Sequence, residues 1–153
     1  MSAIEDRLAA LGIVLPSATP PLANYVPAVI SGSLLVISGQ LPMQDGKLLV
    51  VGKLGGAVSI EDGRAAARCC LVNVLAQAKL ALGDLARIKR IVRLGGFIAC
   101  TADFTQHAQV MNGASDLAVE ILGDAGRHAR STVGVPSLPL DAAVEVEAMI
   151  EIG

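Results

Sequence analysis

The run "AAVEVEAMIEI" at positions 142–152 leaves little freedom in how it can fold. Val144, Val146, Ala148, Ile150 and Ile152 fall on one side of a period-two alternation, and Glu145, Glu147 and Glu151 on the other. A helix would scatter these residues around its cylinder, whereas a strand sorts them into an apolar and an acidic face. A strand with one buried face is therefore expected. The preceding run "RSTVGV" alternates too, with Val133 and Val135 on one side and Arg130, Thr132 and Gly134 on the other. Pairing these two strands would bring Arg130 and Thr132 beside the glutamates in only one register parity, and the sequence does not choose between the two.

Elsewhere the period changes. Leu71, Val74, Leu75, Ala78 and Leu82 recur at helical spacing, with Ser59 as cap, Glu61 and Asp62 at the positive end and Gly83 as stop. A second helix is expected from about Thr105 to Leu122, with Val110, Ala114, Leu117, Ala118, Ile121 and Leu122 as its apolar stripe and Gly123 ending it. Inside it lies Asn112-Gly113, a pair that locally prefers a turn. Glycine costs about 1 kcal/mol in a helix interior, so the pair marks either close packing against a neighbouring backbone or a functional position. Ser2 and Glu5 spell a capping box, with Gly12 closing a short N-terminal helix. "YVPAVISGSLLVISGQ" reads as a hairpin about Ser31-Gly32-Ser33, "KLLVVG" as a third strand after an Asp45-Gly46 turn, and "RIKRIVRLGGFIAC" as a strand loosened at Gly95-Gly96. The chain is expected to be a single domain, 1–153, in which 1–19 supply the helix and a proline-rich lead-in. The expected fold class is α+β, with two helices packed on one face of a mixed sheet and another subunit covering the other face.

Composition narrows the functional classes. Residues 8–44 carry no charge, but five prolines and three glycines interrupt them, so buried strands fit better than a membrane helix of ~20 clean residues. The first residues lack the basic start and apolar run of a secretory signal. A formal charge of −2 and three scattered aromatics give nucleic acid little to grip, the exception being the cluster Arg87, Lys89, Arg90 and Arg93. Cys69, Cys70 and Cys100 are odd in number and form no CxxC pair, and His107 and His128 are too few for a convincing metal site. Reduced core cysteines in a cytoplasmic protein are expected. No membrane or nucleic-acid partner is expected.

Arg130 and Glu145 carry the chemistry worth testing. Arginine's planar fork grips a carboxylate with two parallel hydrogen bonds, and a partly buried glutamate nearby can orient or deprotonate a water. The same pair also serves as a common structural ion pair.

The stretches "ARSTVGVPSLPLDAAVEVEAMI" and "NYVPAVISGSLLVISGQLP" together resemble the RidA (YjgF) family, across roughly residues 20–152. The resemblance implies a chorismate-mutase-like fold, a homotrimer with sites between subunits, and hydrolysis of enamines and imines such as 2-aminoacrylate to 2-keto acids and ammonia. It implies no metal or organic cofactor. Carried over by position, Arg130 would bind the substrate carboxylate and Glu145 would hold the attacking water. Tyr25 would line the cleft, Thr132 would stand where many members have cysteine, and Asn112 would match a helix asparagine. "ANYV" departs from the usual Gly-Pro-Tyr-Ser, and the extra N-terminal helix points to a side branch. The alternatives are a trimer that binds small carboxylates without turnover and, further off, an endoribonuclease or translation inhibitor.

Overall fold

The computed structural model describes residues 2–18 and 24–153. Residues 19–23 of the proline-rich lead-in lie outside the described residues. Helix α1 (Ala3–Ala10) opens at the expected capping box, in which Ser2 Oγ accepts from the Glu5 amide and Glu5 Oε2 from the Ser2 amide, both at 3.2 Å. It buries Ile4 and Leu8. Arg7 donates to the Ile121 carbonyl and Glu5 pairs with Lys79, which ties α1 to both longer helices.

The hairpin forms as expected from β1 (Ala28–Ser31) and β2 (Leu34–Gln40), with Ser31 opposite Leu34 and Gly32 at φ 59° in the turn. "KLLVVG" is not a third strand of that sheet. Its first two residues, β4 (Lys47–Leu48), pair with β3 (Met43–Gln44) in a separate ribbon about Asp45 and Gly46. Gly52, at φ 104°, then turns the chain away, so Val51 keeps only an isolated bridge to Ala142.

Helix α2 (Ile60–Leu82) starts where Ser59 Oγ accepts from the Asp62 amide at 3.1 Å and ends at Gly83, φ 77°. By length and composition it could cross a bilayer, yet Ala66, Ala67, Cys70, Leu71, Val74, Leu75 and Ala78 are fully buried in the core. Helix α3 (His107–Leu122) starts slightly later than expected, with Gln106 at its N-cap making no side-chain hydrogen bond. Gly113 is explained by packing: a Cβ there would collide with the Arg64 carbonyl of α2.

Strand β5 (Ile88–Ala99) runs unbroken through Gly95 and Gly96, and its register shifts lie earlier, between Ile88 and Arg90 and between Ile91 and Arg93. Those two glycines make room for side chains instead, Gly95 for Glu147 and Gly96 for Met111. With β6 (Ala129–Val135) and β7 (Val144–Ile152) the main sheet has the order β1-β2-β7-β5-β6, parallel only between β5 and β6. The two alternating C-terminal runs therefore never pair. The β5–α3–β6 crossover puts β6 on one side of β5, and β7 returns antiparallel on the other.

Helices α2 and α3 cover one face, where Leu35, Ile37, Ile91, Leu94, Ile98, Val144, Val146 and Ile150 are buried. The opposite, open face carries the three glutamates of β7 among exposed Val36, Val133 and Met149.

Candidate functional site

Arg130 is aligned with buried Leu94 of β5, which turns its side chain to the helix face at the outer edge of the sheet. There Nη1 donates to Asn112 Oδ1 at 2.9 Å and to Ser115 Oγ at 3.0 Å, while Nη2 donates to the Ala108 carbonyl at 3.3 Å. Positions 108, 112 and 115 share one side of α3, since residues three and four apart are neighbours on a helix. Three of the five N–H donors of the guanidinium are thus engaged by one helix. Thr132 follows in the same row, aligned with Gly96, and its buried Oγ1 has no hydrogen-bond partner among the described residues. At the end of that row Gly134 packs under Cys100 and His107, whose Sγ and Nε2 lie 3.5 Å apart.

Glu145 points the other way. It is aligned with Phe97 on the open face, and its carboxylate occupies the space that a side chain at Gly39 of β2 would need. Burial raises its pKa from the ordinary glutamate value, and the charge of Glu147 on the same face adds to the shift. Tyr25 is 63% exposed and, with Pro27, Ser38, Gly39 and Gln40, lines a cleft of about 430 Å3. The cleft continues to Asn73, Ala76 and Gln77 of α2, and Glu145 is not part of its lining.

Within one chain the residues singled out from sequence stand apart: Arg130, Asn112 and Thr132 at the β6 edge under α3, Glu145 on the open face beside Gly39 of β2, and Tyr25 ahead of β1 in the cleft with Ser38 and Gln40. Neither parity brings Arg130 beside the glutamates, because β5 separates the two strands. Sequence reasoning missed Ser115 and weighed His128 only as a metal ligand. Ser115 Oγ lies 2.8 Å from His128 Nε2, and His128 Nδ1 lies 2.6 Å from the Gly126 carbonyl. The signal was available for Ser115, which stands three residues after Asn112 on the same helix face. Among the described residues no cluster of three or more His, Cys, Asp or Glu could hold a metal ion. The basic cluster is partly tied to backbone, with Arg87 donating to the Gly153 carbonyl and Arg90 to that of Arg127.

A mixed sheet with helices on one face and the other bare is the chorismate-mutase-like α+β arrangement. Residues 5–152 match the family described as "YjgF/chorismate mutase-like, putative endoribonuclease", and the chain belongs to that family. It is 48% identical over 150 residues to "Protein TCP17" of Trypanosoma cruzi, covering 97% of this chain and 94% of that one. Among solved structures it is similar to Atu1372, a protein of unknown function from Agrobacterium tumefaciens, at 50% identity and TM-score 0.93, covering 99% of this chain and 93% of the other. The E. coli protein TdcF, solved with bound serine, is more distant at 27% identity and TM-score 0.62, covering 89% and 94%. The chain thus groups with TCP17 and Atu1372 on a side branch of the family.

Proposed function

We propose that this protein hydrolyses small enamine and imine acids of the 2-aminoacrylate type to the 2-keto acid and ammonia, as a cytoplasmic homotrimer with sites between subunits. The observation that carries the reading is the Arg130 guanidinium, held by Asn112, Ser115 and Ala108 with two donors left over for a carboxylate. Serine in TdcF, a small molecule bearing a carboxylate, supports a ligand of that kind on this fold. Exposed Val36, Val133 and Met149 on the open face support association through it. A head-to-tail ring would then join the Arg130 set of one copy to Glu145 of the next.

The chemistry asks little of such a site. The enamine takes a proton at its terminal carbon and loses one from nitrogen, giving the imine. Water adds to the imine carbon while Glu145 accepts one of its protons and returns it to nitrogen, giving the carbinolamine. The hydroxyl then gives up its proton as the C=O bond forms, the C–N bond breaks, and the nitrogen takes that proton and leaves as ammonia. A raised pKa makes Glu145 a stronger proton acceptor, and positioned acid–base help contributes roughly 10²–10⁴-fold. Thr132 and Tyr25 would line the pocket, and Asn112 would hold Arg130. RNA cleavage, which the family description carries, has less support from a net charge of −2 and sparse aromatics.

The test generates 2-aminoacrylate in the same tube with a dehydratase and follows pyruvate. Wild type is expected to speed its appearance and Arg130→Ala to lose most of that gain. Equal rates for the two would end the enzymatic reading, and pyruvate binding without any acceleration would leave a carboxylate-binding trimer.

A further inference from the structure

Arg130 is itself held by a chain of hydrogen bonds that the hydrolysis does not use. His128 Nδ1 lies 2.6 Å from the Gly126 carbonyl, which can only accept, so Nδ1 carries the proton. In the neutral ring Nε2 is then an acceptor, and the partner 2.8 Å away is the Ser115 hydroxyl, which must donate. That leaves the Ser115 oxygen's lone pairs for Arg130 Nη1 at 3.0 Å. A helical serine without such a partner turns its proton to the carbonyl one turn back. Here His128 draws the proton to the other side. Asn112 Oδ1 takes the second Nη1 hydrogen, so both are occupied and a ligand is directed to Nε and Nη2.

We propose that Ser115 and His128 are positioning residues of the Arg130 site: the neutral His128 ring sets the Ser115 hydroxyl, which fixes the guanidinium so that its Nε/Nη2 edge meets a carboxylate. The proposal rests on reading Arg130 as the carboxylate grip. It adds a requirement that the grip alone does not make, a His128 ring in the Nδ1–H tautomer that senses the ligand through Ser115.

The experiment uses pyruvate as probe on the full chain, reading its Kd by calorimetry and the His128 ring nitrogens by 15N NMR. Wild type is expected to show the Nδ1–H tautomer and a ring shift on adding pyruvate. Ser115→Ala and His128→Ala should each raise the pyruvate Kd about tenfold, the scale of a lost hydrogen bond to a charged group. In the imine assay the same variants should raise KM more than they lower kcat, and His128→Gln, whose amide oxygen can accept from Ser115, should recover part of the loss. If wild type fails to bind pyruvate, the grip itself falls. If it binds and Arg130→Ala does not, the grip stands; unchanged affinity in the Ser115 and His128 variants then overturns the positioning role alone. Should either alanine variant fail to fold, an Nε2–H tautomer or a ligand-insensitive ring in wild type still overturns it.

Discussion

Arg130 and Glu145 face away from each other: the guanidinium lies under α3 on the helix face of β6, and the carboxylate lies on the open face of β7, with β5 between them. No rotamer change brings them together through a sheet packed with side chains. A reaction needing both must therefore use two copies of the chain.

Mixing inactive variants tests this. Arg130→Ala and Glu145→Gln subunits, unfolded and refolded together, should regain activity that neither shows alone. With random assortment in a closed ring, about a quarter of the interfaces would carry both native residues. No recovery, in a sample shown to contain mixed oligomers, would exclude a shared site.

Glu145 should also trade stability for function. Its pKa is raised in the folded state by burial and by Glu147, so the folded chain binds its proton more tightly than the unfolded one. The associated stability is present below the unfolded pKa and is lost as pH rises through the folded one. Glu145→Gln should raise Tm at pH 7 to 8 and give no gain near pH 4, as measured by thermal scans at matched ionic strength. Wild-type activity should fall on the acid side, as the base form of Glu145 is lost.

Gly113→Ala sets two effects against each other. Helix propensity favours alanine by about 1 kcal/mol, but the added Cβ meets the Arg64 carbonyl, and forcing atoms into a packed contact costs about 1–3 kcal/mol. Backbone against backbone has little room to relax, so net destabilisation is expected in urea titrations.

The three thiols should react in a fixed order. Burial raises Cys70 far above the usual range and pushes Cys69 up to about 11, whereas Cys100 sits beside His107 in a cleft of about 370 Å3. Limited alkylation at pH 8 followed by mass spectrometry should label Cys100 first and Cys70 only on unfolding.

The open face supplies a separate check on assembly. Val36 and Met149 are aligned across β2 and β7 and are 37% and 38% exposed. Lysine at either position should leave the fold of the chain intact and shift sedimentation from trimer toward monomer. A monomeric wild type would remove the shared site altogether.

Periodicity made most elements legible. The strict alternation of β7 survives residue by residue, and the caps Ser2, Ser59 and Gly83 stand where their chemistry put them. Short-range signals failed where a distant contact decided the outcome. Gly95-Gly96 looked like a weak point in β5, but each glycine answers to a side chain from another element, Glu147 or Met111. Val50 and Val51 have strand propensity, yet Gly52 turns them out of any ladder. The candidate site was legible as residue types and not as geometry: neighbours in sequence order, β6 and β7 are separated in the sheet by a strand placed earlier in the chain. The link between Ser115 and His128 was not legible, because a hydroxyl and an imidazole thirteen residues apart meet only once a helix and a strand end bring them together.

Helix α3 meets two obligations with consecutive residues, Asn112 toward Arg130 and Gly113 toward the backbone of α2, about 100° apart around its axis. Adding or deleting a single residue within the helix ahead of that pair would swing one of the two contacts out of alignment whichever way the helix turned, so the first turns of α3 accept a change of side chain more readily than a change of length.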